Sequence, residues 1–552
     1  MESGHGDITK AREGATRFAW FRTVSGLFDN VAGLDRRQKK YLLLLMVAAL
    51  VARVGVYIYC ALPFEDSLIS LRYARNIAQG LGFVYNANER VLGTTTPLWT
   101  LLNAAYLRLF GVGTLFLFQF LLNLALDLFC LLTLAAILCG AGFRYAVVWT
   151  SLLPVALFWP LVLNTSSGME MSLFSALLLL SLRAFQCEKW ELAFGLSGLL
   201  AICRPEGYLW AGLALLISAL RAKRLPWRQG FIFLAVVLPW IVFSELYFGS
   251  FIPQSVVAKS LGTFGHIGQA VVERTPRIPR ILLALVYTEP LPTLPLLNST
   301  WLQRGLQACL LVCFGAGFVV SVRRRGAREM AFMTGLFVLF YSLAAGGAAT
   351  WYGIPPSELF YPVAILGLWG IVSSAGALFW RGFNPTGPAW STLSCILAAV
   401  LLVLLAERTL NKKVTNQYEV TTREVGLVLS RESPPDATLM LEPIGYIGFY
   451  SNRYVYDLTG LVSPSMVDLR KRYPEDWYFR AIVGYRPDYL VLRDFEVERN
   501  VCFIGSKLLF HSESDQILFH RLYAKKWVFP GLTVHGSRAP SLVVFEKVLP
   551  HS

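Results

Sequence analysis

Residues 41–62 read YLLLLMVAALVARVGVYIYCAL. As a helix rising 1.5 Å per residue, a run of this length covers the ~30 Å hydrocarbon core of a bilayer. No small-residue cleavage site follows a short apolar region here, so the run reads as a membrane span and not as a signal peptide. Residues 1–40 before it are polar and basic, carrying Lys10, Arg12, Arg17, Arg22, Arg36, Arg37, Lys39 and Lys40. Ten further apolar runs follow, near 114–139, 145–163, 169–186, 191–203, 208–220, 230–249, 300–321, 330–346, 359–380 and 389–406. Those at 191–203 and 208–220 are short, and cross only if the linking Arg204-Pro205-Glu206-Gly207 lies within the membrane thickness.

The composition agrees. Of 552 residues, 55% are hydrophobic and only 15% charged, where soluble domains carry ~25%. Mean hydropathy is +0.52. These values exclude a cytosolic enzyme, a disordered chain and a nucleic-acid binder, despite a net charge of +15. In a polytopic membrane protein, excess Lys and Arg reads as topology and contact with anionic lipid. Eight of the nine cysteines lie in or beside apolar runs and only Cys502 falls in the polar C-terminal part, so neither a disulfide framework nor a CxxC metal site is expected.

Basic clusters set the orientation. With the N-terminus cytoplasmic, Arg144, Lys189, the cluster Arg221/Lys223/Arg224/Arg228, the cluster Arg323/Arg324/Arg325/Arg328 and Arg381 all fall inside. This holds only if the apolar stretch 97–111 lies on the outer surface as an interfacial helix instead of crossing. The resulting plan is a cytoplasmic basic N-terminus (1–40), a membrane domain (41–406) with outer loops 63–113 and 250–299, and an extracytoplasmic tail (407–552). In the tail, strand-like runs at Thr438–Leu441, Tyr454–Leu458, Tyr489–Leu492 and Leu542–Phe545 alternate with helical stretches, which predicts a small α/β domain with a mixed sheet.

The first outer loop, PFEDSLISLRYARNIAQG at 63–80, is the most informative for chemistry. Adjacent carboxylates Glu65 and Asp66 stand where a helix begins. Leu68, Leu71, Arg72 and Arg75 then recur at helical spacing, predicting an amphipathic helix along the membrane surface. Asp66 reads either as an N-cap or as a general base facing a membrane-level cavity.

Glu65-Asp66-Ser67-Leu68-Ile69, Arg72, Asn76, Gly80-Leu81-Gly82-Phe83-Val84-Tyr85-Asn86, Glu89-Arg90-Val91 and Thr95-Thr96-Pro97-Leu98-Trp99 together resemble the first periplasmic loop of bacterial GT-C membrane glycosyltransferases. Within that superfamily the chain resembles the mycobacterial terminal β-(1→2)-arabinofuranosyltransferases. Ser167-Gly168-Met169-Glu170, Arg204-Pro205-Glu206-Gly207 and Tyr456-Asp457-Leu458-Thr459-Gly460-Leu461 fit the same pattern. Members usually carry Asp-Asp where this chain has Glu65-Asp66, so Asp66 is the matching position.

The resemblance implies a polytopic α-helical GT-C fold in a bacterial inner membrane. It also implies transfer of a sugar from a polyprenyl-phosphate donor to a cell-envelope glycan on the outer face. Such a displacement needs a carboxylate to take the acceptor proton and a cation to meet the leaving phosphate. Asp66 is the expected base, with Glu65 as helper; the two could share Mg²⁺ or Mn²⁺, although nothing in the sequence requires a metal. Arg72, Arg75, Arg204, Lys259, Arg274 and Arg277 are the candidate phosphate ligands, the last three on the basic loop 250–299, whose Pro-broken apolar continuation could groove a polyprenyl tail. Arg204 and Glu206 read equally as a pair joining two short helices, Glu170 as acceptor ligand or cap, and Asp127 as paired within the bundle. Trp351, Tyr352 and Asp457 are candidates for the acceptor glycan, with an aromatic belt and a packed domain core as the plainer readings of that region. No nucleotide-binding motif is present. A transporter or flippase of lipid-linked saccharides is the competing function, but charges gathered at one surface, with a soluble domain behind them, favour the enzyme.

Overall fold

The computed structural model describes residues 25–60, 62–260, 300–344, 350–379, 388–504, 507–531, 533–534 and 537–548. All eleven apolar runs form helices in their described parts. Six are long and apolar enough to cross a membrane by length and composition, among them Arg36–Cys60, Leu115–Gly140 and Trp227–Phe248. The helix Ala327–Ala344 and shorter apolar helices at Tyr145–Leu157, Met171–Gln186, Trp190–Cys203 and Gly207–Ala222 complete the bundle. The run 145–163, expected as one span, is instead two helices, Tyr145–Leu157 and Trp159–Asn164. Pro160 lacks the N–H that would bond the Ala156 carbonyl and its ring crowds that carbonyl, and the break falls at Phe158, which is extended at ψ 125°.

Two features hold the bundle at close range. Arg53 Nε donates to Asp127 Oδ2 at 2.9 Å with both side chains buried, the pairing expected of Asp127. The helices Thr300–Val322 and Ile354–Phe379 meet backbone to backbone: a Cβ on Gly317 would lie 1.8 Å from the Val363 carbonyl, and one on Gly367 would lie 1.7 Å from that of Cys313. Without a strong hydrophobic drive between helices in lipid, such small-residue contacts let dispersion and packing act.

In the C-terminal part, β1 (Thr438–Leu441), β2 (Tyr454–Asp457), β3 (Tyr489–Arg493), β4 (Tyr523–Phe529) and β7 (Leu542–Lys547) form a mixed sheet ordered β2-β1-β3-β7-β4. The first three are parallel, and β7 is antiparallel to both β3 and β4. A small hairpin, β5 (Thr533–Val534) with β6 (Ser537–Arg538), precedes β7. Side chains alternate between two cores, as strand geometry requires. Leu439, Leu441, Tyr489, Val491, Leu542 and Val544 face one core, while Met440, Leu490, Leu492, Val543 and Phe545 face the other. Both faces being covered explains why Tyr489–Leu492 of β3 reads as an unbroken apolar run; the strand is buried at all five positions. The first core also takes in Ile69, Tyr73, Phe83 and Tyr85 from the first loop. The sheet is therefore fastened directly onto the segment that carries Asp66.

Candidate active site

The helix Glu65–Ala78 begins after Phe64, whose ψ of 149° marks the cap. Asp66 is therefore not the N-cap: no side chain caps this helix, and Glu65 and Asp66 occupy its first turn. Carboxylates there still gain from the exposed N–H groups and the helix dipole. Phe64 N donates to the Ser167 carbonyl at 2.7 Å, which seats the helix start on the turn Ser167-Gly168. Gly168 is required there: its φ is +72°, and a Cβ would lie 3.0 Å from Ser67 Oγ.

The helix is not an exposed amphipathic surface helix. Its charged face is covered by the C-terminal sheet domain, and nine of its residues are buried. Arg72 donates to the carbonyls of Tyr85 at 2.9 Å, Gly448 at 2.8 Å and Arg453 at 2.5 Å. Arg75 donates to the Phe449 carbonyl and to Asn452 Oδ1, both at 2.7 Å. Glu65 accepts backbone N–H groups from Gly445 and, at 3.0 Å, from Tyr446. Arg72 and Arg75 are thus engaged mainly by main-chain carbonyls, which corrects their assignment to a donor phosphate. Glu65 likewise fastens two elements and does not reach toward a reacting centre. Burial pushes its carboxyl up to about 8, although the two backbone N–H groups pull it down.

Asp66 is placed differently. Among the described residues no donor bonds to its carboxylate. Burial raises its pKa, opposed by the positive charges of Lys259 and Arg204. Lys259, on the helix Gln254–Ser260, donates to the Tyr352 hydroxyl at 3.3 Å. Burial opposes its charge, but Tyr352 and Asp66 prevail and hold its pKa up. Four segments distant in sequence therefore bring Asp66, Lys259, Tyr352 and Arg204 together. Trp351 packs its ring 5.9 Å from that of Phe64, beside the same helix start.

Arg204 serves as a junction. Its Nε and one terminal nitrogen donate to Glu206 at 3.1 and 2.9 Å, and the other terminal nitrogen pairs with Glu170. The Tyr341 hydroxyl donates to Glu206 at 3.1 Å, and the guanidinium lies 5.4 Å from the Tyr352 ring centroid. All of these carboxylates are buried. With every guanidinium nitrogen engaged by carboxylate, Arg204 acts on the site through its field rather than as a phosphate ligand. Glu170 is correspondingly a partner of Arg204 and not an acceptor ligand. Asp457 is fully buried and accepts the N–H groups of Thr459, Leu461 and Val462 at 2.8, 2.5 and 3.1 Å. It organises the turn after β2 and does not face an acceptor. Burial pushes its carboxyl up to about 6, against those three hydrogen bonds. Arg274 and Arg277 lie outside the described residues.

Each Glu65 oxygen accepts a backbone N–H, which turns that carboxylate toward the C-terminal domain. Among the described residues no three His, Cys, Asp or Glu side chains converge as an ion site. The sequence reading missed Tyr341 and the main chain of Gly445–Arg453. Neither carries a motif, and the contacts they make span 135 to 381 residues.

Residues 410–541 match a family model described as Domain of unknown function (DUF8728). The terminal β-(1→2)-arabinofuranosyltransferase of Mycobacterium tuberculosis is 29% identical over an alignment of 260 residues, gaps included, that covers 41% of this chain and 40% of that protein. The match thus spans less than half of the relative's length. Among solved structures, the oligosaccharyltransferase AglB from Archaeoglobus fulgidus, in complex with an inhibitory peptide and a dolichol-phosphate, is similar with a TM-score of 0.53 at 11% identity, over 92% of this chain and 74% of that one. ArnT from Cupriavidus metallidurans bound to undecaprenyl phosphate aligns over 92% of this chain and 98% of its own, with a TM-score of 0.49 and 12% identity. The likeness to the archaeal oligosaccharyltransferase shows the fold. The chain shares that polytopic α-helical membrane fold and carries a small C-terminal sheet.

Proposed function

We propose that this chain is a membrane glycosyltransferase that transfers a sugar from a polyprenyl-phosphate donor to a cell-envelope glycan, with Asp66 as general base. The observation that carries the reading is the Asp66 carboxylate itself. It stands in the first turn of a rigidly clamped helix, unbonded among the described residues, with Lys259 and Arg204 acting on it. In the proposed step the acceptor hydroxyl oxygen attacks the anomeric carbon as its proton passes to Asp66. The bond from that carbon to the phosphate oxygen breaks, and polyprenyl phosphate leaves with the electron pair. Lys259 meets the charge gathering on the leaving phosphate, a role suited to a compact ammonium held at the site by Tyr352. A carboxylate raised by burial is better matched to accepting a proton near neutral pH. Arg204, Glu170 and Glu206 hold the wall of the site, and Trp351 and Tyr352 offer aromatic faces to the acceptor.

The curated relative's arabinofuranosyltransferase activity supports a pentofuranose as the first sugar to test, and the dolichol-phosphate named with the archaeal structure supports a lipid-linked donor. The reading places the N-terminus in the cytoplasm and the C-terminal domain on the outer face. A panel of decaprenyl-phospho-sugars, incubated with purified protein and envelope glycans, tests it. Release of decaprenyl phosphate coupled to glycan extension, from one donor of the panel, is expected. Binding of donors with no turnover of any would replace this reading with a carrier of lipid-linked saccharides.

A further inference from the structure

A cavity of about 370 Å³ lies where the helices Arg36–Cys60 and Leu115–Gly140 meet the C-terminal domain. This falls within the ~300–1,000 Å³ range of small-ligand sites. Its lining does not include Asp66, Lys259 or Tyr352. Aromatic pairs form its walls. Tyr57 stacks on Phe120 with ring centroids 3.9 Å apart, and Tyr446 lies parallel to Tyr450 at 6.1 Å. Ile58, also on the wall, is 77% exposed on a helix read as a membrane span, so the cavity opens toward lipid.

Two polar groups in this setting keep hydrogen-bonding capacity unused among the described residues. Gln119 lines the cavity and is buried; its Nε2 donates to Asn103 Oδ1 at 2.9 Å and to the Gly168 carbonyl at 3.3 Å, but among the described residues its Oε1 receives no hydrogen bond. A buried acceptor without a donor is uncommon and calls for an occupant. Arg423, at the rim, is exposed and lies 5.3 Å from the Tyr450 ring centroid. Among the described residues no carboxylate pairs with it. The cavity thus presents a cation, an acceptor awaiting a hydroxyl, and apolar walls open to the bilayer.

We propose that this cavity binds a phospholipid with an anionic, hydroxylated headgroup, of the phosphatidylglycerol type. The phosphate accepts from the Arg423 guanidinium, a headgroup hydroxyl donates to Gln119 Oε1, and an acyl chain lies along Ile58, Phe116 and Phe120. A phosphatidylcholine headgroup offers no donor to Gln119. A soluble sugar could stack on the tyrosines but would leave the lipid-facing side uncovered.

Native mass spectrometry of the full-length protein in detergent, titrated with phosphatidylglycerol or phosphatidylcholine, tests the site. Adducts with phosphatidylglycerol are expected at about tenfold lower lipid concentration, because Arg423 there meets a net anionic headgroup and Gln119 gains a donor, whereas choline cancels the phosphate charge and offers no donor. Arg423→Gln, a surface change that leaves the fold intact, should abolish most of that preference, and Leu62→Trp should do the same by filling the cavity. Arg224→Gln, at an exposed site remote from the cavity, should not. Equal binding of the two lipids would overturn the proposal, as would a preference unchanged in both cavity variants. Displacement of bound phosphatidylglycerol by a soluble oligosaccharide would overturn it in favour of a sugar site.

Discussion

Asp66 and Glu65 are neighbours in sequence with opposite fates. One turns toward Lys259 and Arg204, and the other is bound by the backbone of Gly445 and Tyr446. The adjacent pair is legible from residue type, but the division of labour is not. It is set by a contact 380 residues away that no spacing reveals. Two tests belong at this scale. Lys259 lowers the Asp66 pKa, so Lys259→Met should move the acid limb of the kcat/KM profile to higher pH and lower the rate about a hundredfold. A limb that stays in place would detach Lys259 from the base. Glu65 has a folded pKa of about 8 against an ordinary 4.5. The folded state therefore holds its proton more tightly, and this group's contribution to stability is full below pH ~4.5 and lost as pH rises toward ~8. Thermal melts of wild type and Glu65→Gln across that window should show wild type alone losing this increment. Parallel curves would contradict the assignment.

Among the elements, helices are the most legible because long apolar runs have one solution in a bilayer. The exception is the break at Phe158, where Pro160 is visible in the sequence but sits inside a run apolar enough to read as one span. Four of the five strands of the main sheet show in their apolar runs. The fifth, Tyr523–Phe529, does not, because it is an edge strand whose Ala524, Lys525 and Lys526 are exposed. Edge strands commonly carry lysine, which blunts pairing with other chains and also hides the strand. Gly317 and Gly367 show what a sequence without a partner does not disclose, since each is needed only because the other helix lies against it. Gly367→Leu should destabilise the protein by about 3 kcal/mol or more through overpacking, seen as a lowered Tm in detergent. A variant melting with wild type would mean that the two helices do not meet as described.

For the whole molecule, the central feature is that the C-terminal sheet and the first loop share a core through Ile69, Tyr73, Phe83 and Tyr85. Composition makes the membrane class plain, and the basic clusters supply an orientation. The sharing of a core is not legible, because the same aromatics satisfy a self-contained domain equally well. It gives the C-terminal domain a positioning role, in which Arg72, Arg75 and Glu65 hold the helix of Asp66 while Asp66 itself stays open. The proposed chemistry rests on that carboxylate. The most direct measurement is single-turnover transfer from a decaprenyl-phospho-sugar by wild type and Asp66→Asn, with donor binding followed on the same samples. The predicted result is unchanged binding and a transfer rate lower by at least about a hundredfold in Asp66→Asn. Near-normal transfer by Asp66→Asn would contradict the account.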